Sequence, residues 1–265
     1  MRLPFLLRVA LTLLLALGAA GLCVALHTPL PWMIGPLLAT ALASMAGAPT
    51  ESWTPLRNSG QWVIGAALGL YFTPQVTALV ASLWWAIVLA IAWALLLGLG
   101  FAAVLFRVHA PRLAGIDRPT MRATAYFAGA VGNPSVLAER AGARTDLVAA
   151  AHSLRLMVVV LAIPFGLQAF GLTGIDALPA GSRVVQPLGL AVLGACTGVG
   201  ALLMRRLGRA NPWFMGALLA AMGLTMAGIT LSAFPVALSN AAQLVFGASL
   251  GVRFTAGFLH TAPRW

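Results

Sequence analysis

The chain has no lysine. Its 16 basic residues are all arginine, and only five acidic residues, Glu51, Asp117, Glu139, Asp146 and Asp176, stand against them in 265. No two of these carboxylates face one another within the apolar segments, so paired acid–base chemistry has no residues to use. The two cysteines, Cys23 and Cys196, both fall inside apolar runs, where a thiol behaves as a small hydrophobe. No disulfide framework follows from them. His27, His109, His152 and His260 are scattered without ligand spacing, and no cysteine cluster or three-ligand set of the kind zinc or copper requires is present. No metal, cofactor or enzymatic centre is therefore expected. The net charge of +11 could suggest nucleic acid, but the arginines stand singly or in short clusters between apolar runs. A nucleic-acid partner would need a basic face interleaved with aromatics, which is missing.

What the chain has in abundance is hydrocarbon. Hydrophobic residues make up 61% of it and charged ones 8%, and Leu79 to Leu105 carries no ionisable group. A bilayer core is crossed by roughly 20 apolar residues in a helix, and soluble cores do not need uninterrupted runs of that length. The reading is an all-α, polytopic membrane protein whose first partner is the lipid bilayer. Exclusive use of arginine points to the coding bias of a GC-rich bacterial genome. The N-terminal stretch has the basic start and apolar middle of a secretory signal. It is read instead as the first transmembrane helix, because Leu22 precedes Cys23 where a lipoprotein site wants a small residue, and because the segment has an internal counterpart.

That counterpart belongs to a repeat. A shift of 181 residues places Pro31, Trp32, Gly35, Leu37 and Leu38 on Pro212, Trp213, Gly216, Leu218 and Leu219, and Met45-Ala46-Gly47 on Met226-Ala227-Gly228. One inserted residue then aligns QWVIGAALGLYFT (61–73) with QLVFGASLGVRFT (243–255). Basic residues collect in short cytoplasmic loops. Residues 24–31 lack arginine where the second copy has Arg205, Arg206 and Arg209, and Tyr71 stands where the second copy has Arg253. The matched positions therefore lie on opposite sides, and the repeat is inverted.

A path consistent with this starts inside near Arg2 and Arg8. Helices are expected at about 5–26, 30–48, 57–73 and 76–106, leading to an inside loop with Arg107, Arg112, Arg118 and Arg122. Residues 123–138 are read as a re-entrant or broken segment, 146–172 crosses outward, and crossings at about 186–204, 212–230 and 236–252 end inside at Arg253 and Arg264. That makes about eight transmembrane helices plus one interrupted segment, with both termini cytoplasmic in a bacterial inner membrane. Residues 1–185 form the first repeat unit and 186–265 a second, shortened one. The second copy stops soon after LGVRFT, so the chain is either a natural short form or a truncated frame; a homodimer would compensate for the missing helices.

Several motifs carry two readings each. Gly35-Pro36 follows Pro31, so the helix starting there is expected to break within two turns. Pro212 and Gly216 repeat the pattern with Ala217 in place of Pro36. Such a break either exposes backbone groups to a solute or ion, or is a kinked packing helix with Trp32 as an interfacial anchor. Gly65 with Gly69, and Gly247 with Gly251, form small-xxx-small faces for helix packing. Gln61 and Gln243 are equivalent amides, either interhelical hydrogen-bond partners or solute ligands. Gly132, Asn133, Pro134 and Ser135 form the leading candidate solute site, since non-helical backbone at membrane depth survives only where protein or a water-filled cavity satisfies it; the alternative is a plain cytoplasmic turn. His152 and Arg155 are one turn apart at the start of an apolar helix, with Glu139 or Asp146 as candidate partners. Snorkelling of Arg155 to the interface is the simpler account.

PWMIGPLLATALASMAGAP, GQWVIGAALGLYFT, the LAER of 137–140 and SLRLMVVV (153–160) together resemble the AbrB family of bacterial polytopic membrane proteins, in which this unit is duplicated. The resemblance covers nearly the whole chain. It implies a label of regulator of gene expression, or in some descriptions ammonia monooxygenase, and the second finds no chemical support in these residues. A soluble DNA-binding regulator shares the family's name and has no counterpart here. Family members carry a Pro-Gly-Gly-Ala-Ser-Glu-Met-like stretch before LAER; this chain reads VGNPSVL at 131–137, with Val136 in place of the acid. Two functions follow from these readings: a transporter-like protein moving or binding a small solute or ion at interrupted helices, or a membrane-embedded regulator without transport.

Overall fold

The computed structural model describes residues 4–109, 145–171 and 184–254, with side chains at 98–99, 101–109 and 145–152 left aside. The candidate segment 132–135 lies outside the described residues. Among them are nine helices and no strand: α1 (Phe5–Ala25), α2 (Pro31–Met45), α3 (Thr54–Gly69), α4 (Pro74–Ser82), α5 (Trp84–His109), α6 (Thr145–Ala169), α7 (Pro187–Arg206), α8 (Pro212–Met226) and α9 (Val236–Gly251). Proline at the first or second position starts α2, α3, α7 and α8. Its missing N–H is lost at no cost there and its fixed φ suits the first turn.

Among the helices whose side chains are described throughout, α1 and α7 are long and apolar enough to cross a membrane. A third span would be made by α3 and α4 together, bent by 78° at their junction. At 15 residues, α2 and α8 rise only about 22 Å, short of a hydrocarbon core of about 30 Å. The apolar segments expected from the sequence are thus helical, and two or three full spans are identified where side chains are described throughout. The run expected as one helix at 76–106 divides at Leu83 into α4 and α5. Large apolar side chains are exposed along α1 (Leu6, Leu14, Leu22) and α5 (Trp84, Leu89, Trp93), an arrangement suited to lipid rather than water.

By internal contacts the chain divides into one unit of 1–79 with 161–256 and a second of 80–160 with 257–265. The first unit contains the repeated helices of both copies, and they exchange partners. Helix α3 packs on α8, and α9 packs on α2. A Cβ at Gly65 would run into the Phe214 carbonyl, and one at Gly69 would lie 2.7 Å from the Leu218 oxygen. Reciprocally, a Cβ at Gly247 would lie 2.5 Å from the Met33 oxygen, and one at Gly251 would lie 2.5 Å from the Leu37 oxygen and 2.8 Å from the Ala41 nitrogen. Phe214 and Leu218 are the repeat equivalents of Met33 and Leu37, so the same interface is made twice. The repeat boundary near 185 divides the sequence; in space the copies interleave.

The turns between paired helices are also duplicated. After α1, His27 takes positive φ (53°) and Thr28 N–H donates to the Cys23 carbonyl at 3.1 Å. After α7, Gly208 takes positive φ (63°) and Arg209 N–H donates to the Met204 carbonyl at 3.1 Å. Each turn ends in a left-handed N-cap residue, Leu30 (φ 46°, ψ 53°) or Asn211 (φ 47°, ψ 52°). Here the structure corrects the sequence reading. The chain breaks before Pro31 and Pro212, and α2 runs on through Gly35 and Pro36 just as α8 runs through Gly216. Pro36 is near the helix start and removes one backbone donor. Gly35 lets α2 approach α1 closely, because a Cβ there would lie 2.6 Å from the Ala19 oxygen. Gly216 does the same against Gly200 and Ala201 of α7.

Candidate functional site

The helices α3 and α9 meet at the middle of this exchange. A Cβ at Gly60 would lie 3.0 Å from the Ala242 carbonyl oxygen and 3.7 Å from the Phe246 nitrogen. Gly60 and Ala242 are themselves repeat equivalents, so the crossing lies where the two copies are related to each other. Gln61 and Gln243 each follow the contact by one residue and are both half-buried. Neither amide makes a hydrogen bond within the described residues. Each offers a carbonyl acceptor and two N–H donors.

Around the crossing the copies differ in polarity. Trp62 Nε1–H donates to Thr197 Oγ1 at 3.0 Å, joining α3 to α7. Thr197 is fully buried and donates to the Leu193 carbonyl at 2.8 Å. The equivalent contact between α9 and α1 is apolar, with Leu244 packed among Ala16, Ala20 and Ala248. Sequence reasoning missed this hydrogen bond; the signal was a lone threonine in the Ala/Gly-rich run ACTGVG opposite a helix carrying tryptophan beside the repeated glutamine. On the α2–α9 face, buried Thr40 donates to the Pro36 carbonyl at 2.6 Å, and Ser44 donates to the Val252 carbonyl at 3.2 Å.

One end of this unit is charged. Arg8 and Glu51 form an ion pair at 3.1 Å, and Glu51 N–H donates to Thr12 Oγ1 at 3.0 Å, which ties the start of α1 to the α2–α3 connection. A narrow crevice beside the pair is lined by Thr12, Glu51, Trp53, Leu56, Val245 and Ser249. Arg57, on the first turns of α3, is half-buried. Arg253, just past α9, is exposed at its surface. Enough protein still surrounds Arg253 that desolvation lowers its pKa from the ordinary arginine value, and the charge of Arg57 lowers it further.

The sequence candidates divide between the two units. Gln61 and Gln243 each stand one residue past the Gly60–Ala242 contact, and Gly65, Gly69, Gly247 and Gly251 lie against backbone of the partner copy. His152 and Arg155 both lie on α6 within the second unit, where the Arg155 side chain is exposed and that of His152 is outside the described residues. Gly132, Asn133, Pro134 and Ser135 are likewise outside them. No group of three or more His, Cys, Asp or Glu side chains gathers among the described residues.

These features define an all-helical, membrane-type protein built on an internal repeat whose copies exchange helices. The family model for AbrB, described as transition state regulatory protein AbrB, matches residues 32–265, and the chain belongs to that family. Neither a curated protein nor a solved structure matches it.

Proposed function

We propose that the chain binds a small polar solute or ion between its two repeats and carries it across a bacterial inner membrane, with both termini cytoplasmic. The observation that carries this reading is the crossing of α3 and α9, at which two equivalent, half-buried amides, Gln61 and Gln243, lie beside a glycine-mediated contact. Transporters built on inverted repeats hold solutes at the repeat interface, near interrupted helices. The bend between α3 and α4 is an interruption of that kind. Asn133 and its neighbours, with His152 and Arg155, remain separate candidates for solute binding.

The test is solute uptake into sealed membrane vesicles by wild type, Gln61→Ala, Gln243→Ala and Asn133→Ala. Uptake that falls by tenfold or more in the glutamine variants, with membrane insertion unchanged, supports the reading. Equal uptake by wild type and protein-free vesicles for every solute tried counts against it. The family description favours a second reading, a membrane-embedded regulator without transport. That reading predicts altered gene expression on deletion, restored equally by wild type and by the glutamine variants.

A further inference from the structure

We infer that Arg57 and Arg253 together form a binding site for a phosphate group at the arginine-bearing end of the α3–α9 pair. The geometry begins with Trp53 and Leu56 at the start of α3, which line the same crevice as Val245 and Ser249 near the end of α9. Arg57 follows Leu56 directly. Arg253 follows Ser249 by one turn and is held on the helix end by its N–H donating to the Leu250 carbonyl at 3.2 Å. The two arginines thus adjoin the same end of the α3–α9 pair, one beside and one a turn beyond residues that share the crevice.

Among the described residues no free carboxylate answers them. Glu51 is the one acid whose side chain is described, and it is engaged by Arg8. The Arg57 Nε is buried and has no hydrogen-bond partner, which is costly for a charged donor. The charge of Arg57 lowers the pKa of Arg253, in keeping with their placement at this end. A phosphate group would satisfy both arginines, because guanidinium and phosphate oxygens pair through parallel, charge-assisted hydrogen bonds. Its source is either the headgroup of an anionic phospholipid, since basic clusters beside membrane helices collect such lipids, or free inorganic phosphate. The site is independent of the glutamine crossing and of any transport by it.

The experiment follows thermal unfolding of the purified full chain in nonionic detergent, as wild type, Arg57→Gln and Arg253→Gln. Phosphatidylglycerol is compared with phosphatidylcholine, and inorganic phosphate with chloride at matched ionic strength. The expected result is a rise in wild-type midpoint with phosphatidylglycerol or phosphate beyond the controls, and at least a tenfold higher half-effect concentration in both variants. A response to phosphatidylglycerol alone identifies the headgroup as the source; a response to inorganic phosphate as well identifies a general phosphate site. Without ligand, both variants should unfold at or above the wild-type midpoint, because removing either charge relieves repulsion. Arg253 is exposed, so its replacement leaves the core intact and the comparison valid should Arg57→Gln fold poorly. No wild-type rise above the controls, or an equal rise in wild type and Arg253→Gln, would overturn the inference.

Discussion

Replacing Gly251 by alanine tests the helix exchange where it is tightest. The added Cβ would run into Thr40 Oγ1, while lying 2.5 Å from the Leu37 carbonyl oxygen and 2.8 Å from the Ala41 nitrogen. The last two are backbone atoms and cannot rotate away, so α9 must move off α2. Thr40 is fully buried and already donates to the Pro36 carbonyl at 2.6 Å, so it has little room to yield. Overpacking of this kind costs about 1–3 kcal/mol, against which alanine regains up to about 1 kcal/mol of helix propensity. A net loss of about 1–2 kcal/mol, or about 5- to 30-fold in the folded-to-unfolded ratio, is expected. Gly69→Ala should behave alike, since its Cβ would lie 2.5 Å from the Ala221 Cβ and 2.7 Å from the Leu218 oxygen. Gly18→Ala is the control, with nothing within 4 Å, and should be neutral or slightly stabilising. The assay is reversible unfolding of the full chain in mixed micelles. If Gly251→Ala and Gly69→Ala are as stable as Gly18→Ala, the close approach of these helices does not exist and the exchange built on it fails.

Leu30 holds a left-handed conformation that costs a branched residue about 1–2 kcal/mol, whereas asparagine tolerates it. Leu30→Asn should therefore stabilise the fold and Asn211→Leu destabilise it, with opposite shifts in unfolding midpoint. Thr197→Val leaves the Trp62 Nε1–H unpaired and should cost about 1–3 kcal/mol, more than Trp62→Phe, which leaves Thr197 bonded to Leu193; a double-mutant cycle measures the coupling. The Arg8–Glu51 pair is about one-third exposed on each side, so Glu51→Gln should cost less than about 1 kcal/mol, and raising salt should shrink the difference. Cysteines placed at Thr28 and Arg209 in a background lacking Cys23 and Cys196 should react with an impermeant maleimide from opposite faces of the membrane. Labelling from the same face would refute the inverted orientation.

Much of this architecture was legible in the residues. Uninterrupted apolar runs, prolines at helix starts and the duplicated PWxxG and QxVxGAxLG patterns marked out the helices and their correspondence, because these signals are local. The further break expected at Gly35-Pro36 is not there: the pair looks like a stop, but Gly35 serves close approach to α1, and the discontinuity is the turn before Pro31, ending in a left-handed leucine that no residue preference announces. The interruption between α3 and α4 falls where one helix was expected to end at 73 and another to begin at 76, whereas the division at Leu83 was hidden, since Ser82 to Trp84 contains neither glycine nor proline.

By itself, the sequence determined that the chain is helical, suited to a membrane and written twice, since composition and periodicity depend only on neighbours along the chain. Which helix each glycine face meets was decided by the tertiary structure. A small-xxx-small stripe says that some backbone will come close, and several helices here carry small residues able to receive it. Only packing selects α8 for α3 and α2 for α9, and with that choice it crosses α3 with α9 at Gly60 and Ala242, one residue before Gln61 and Gln243.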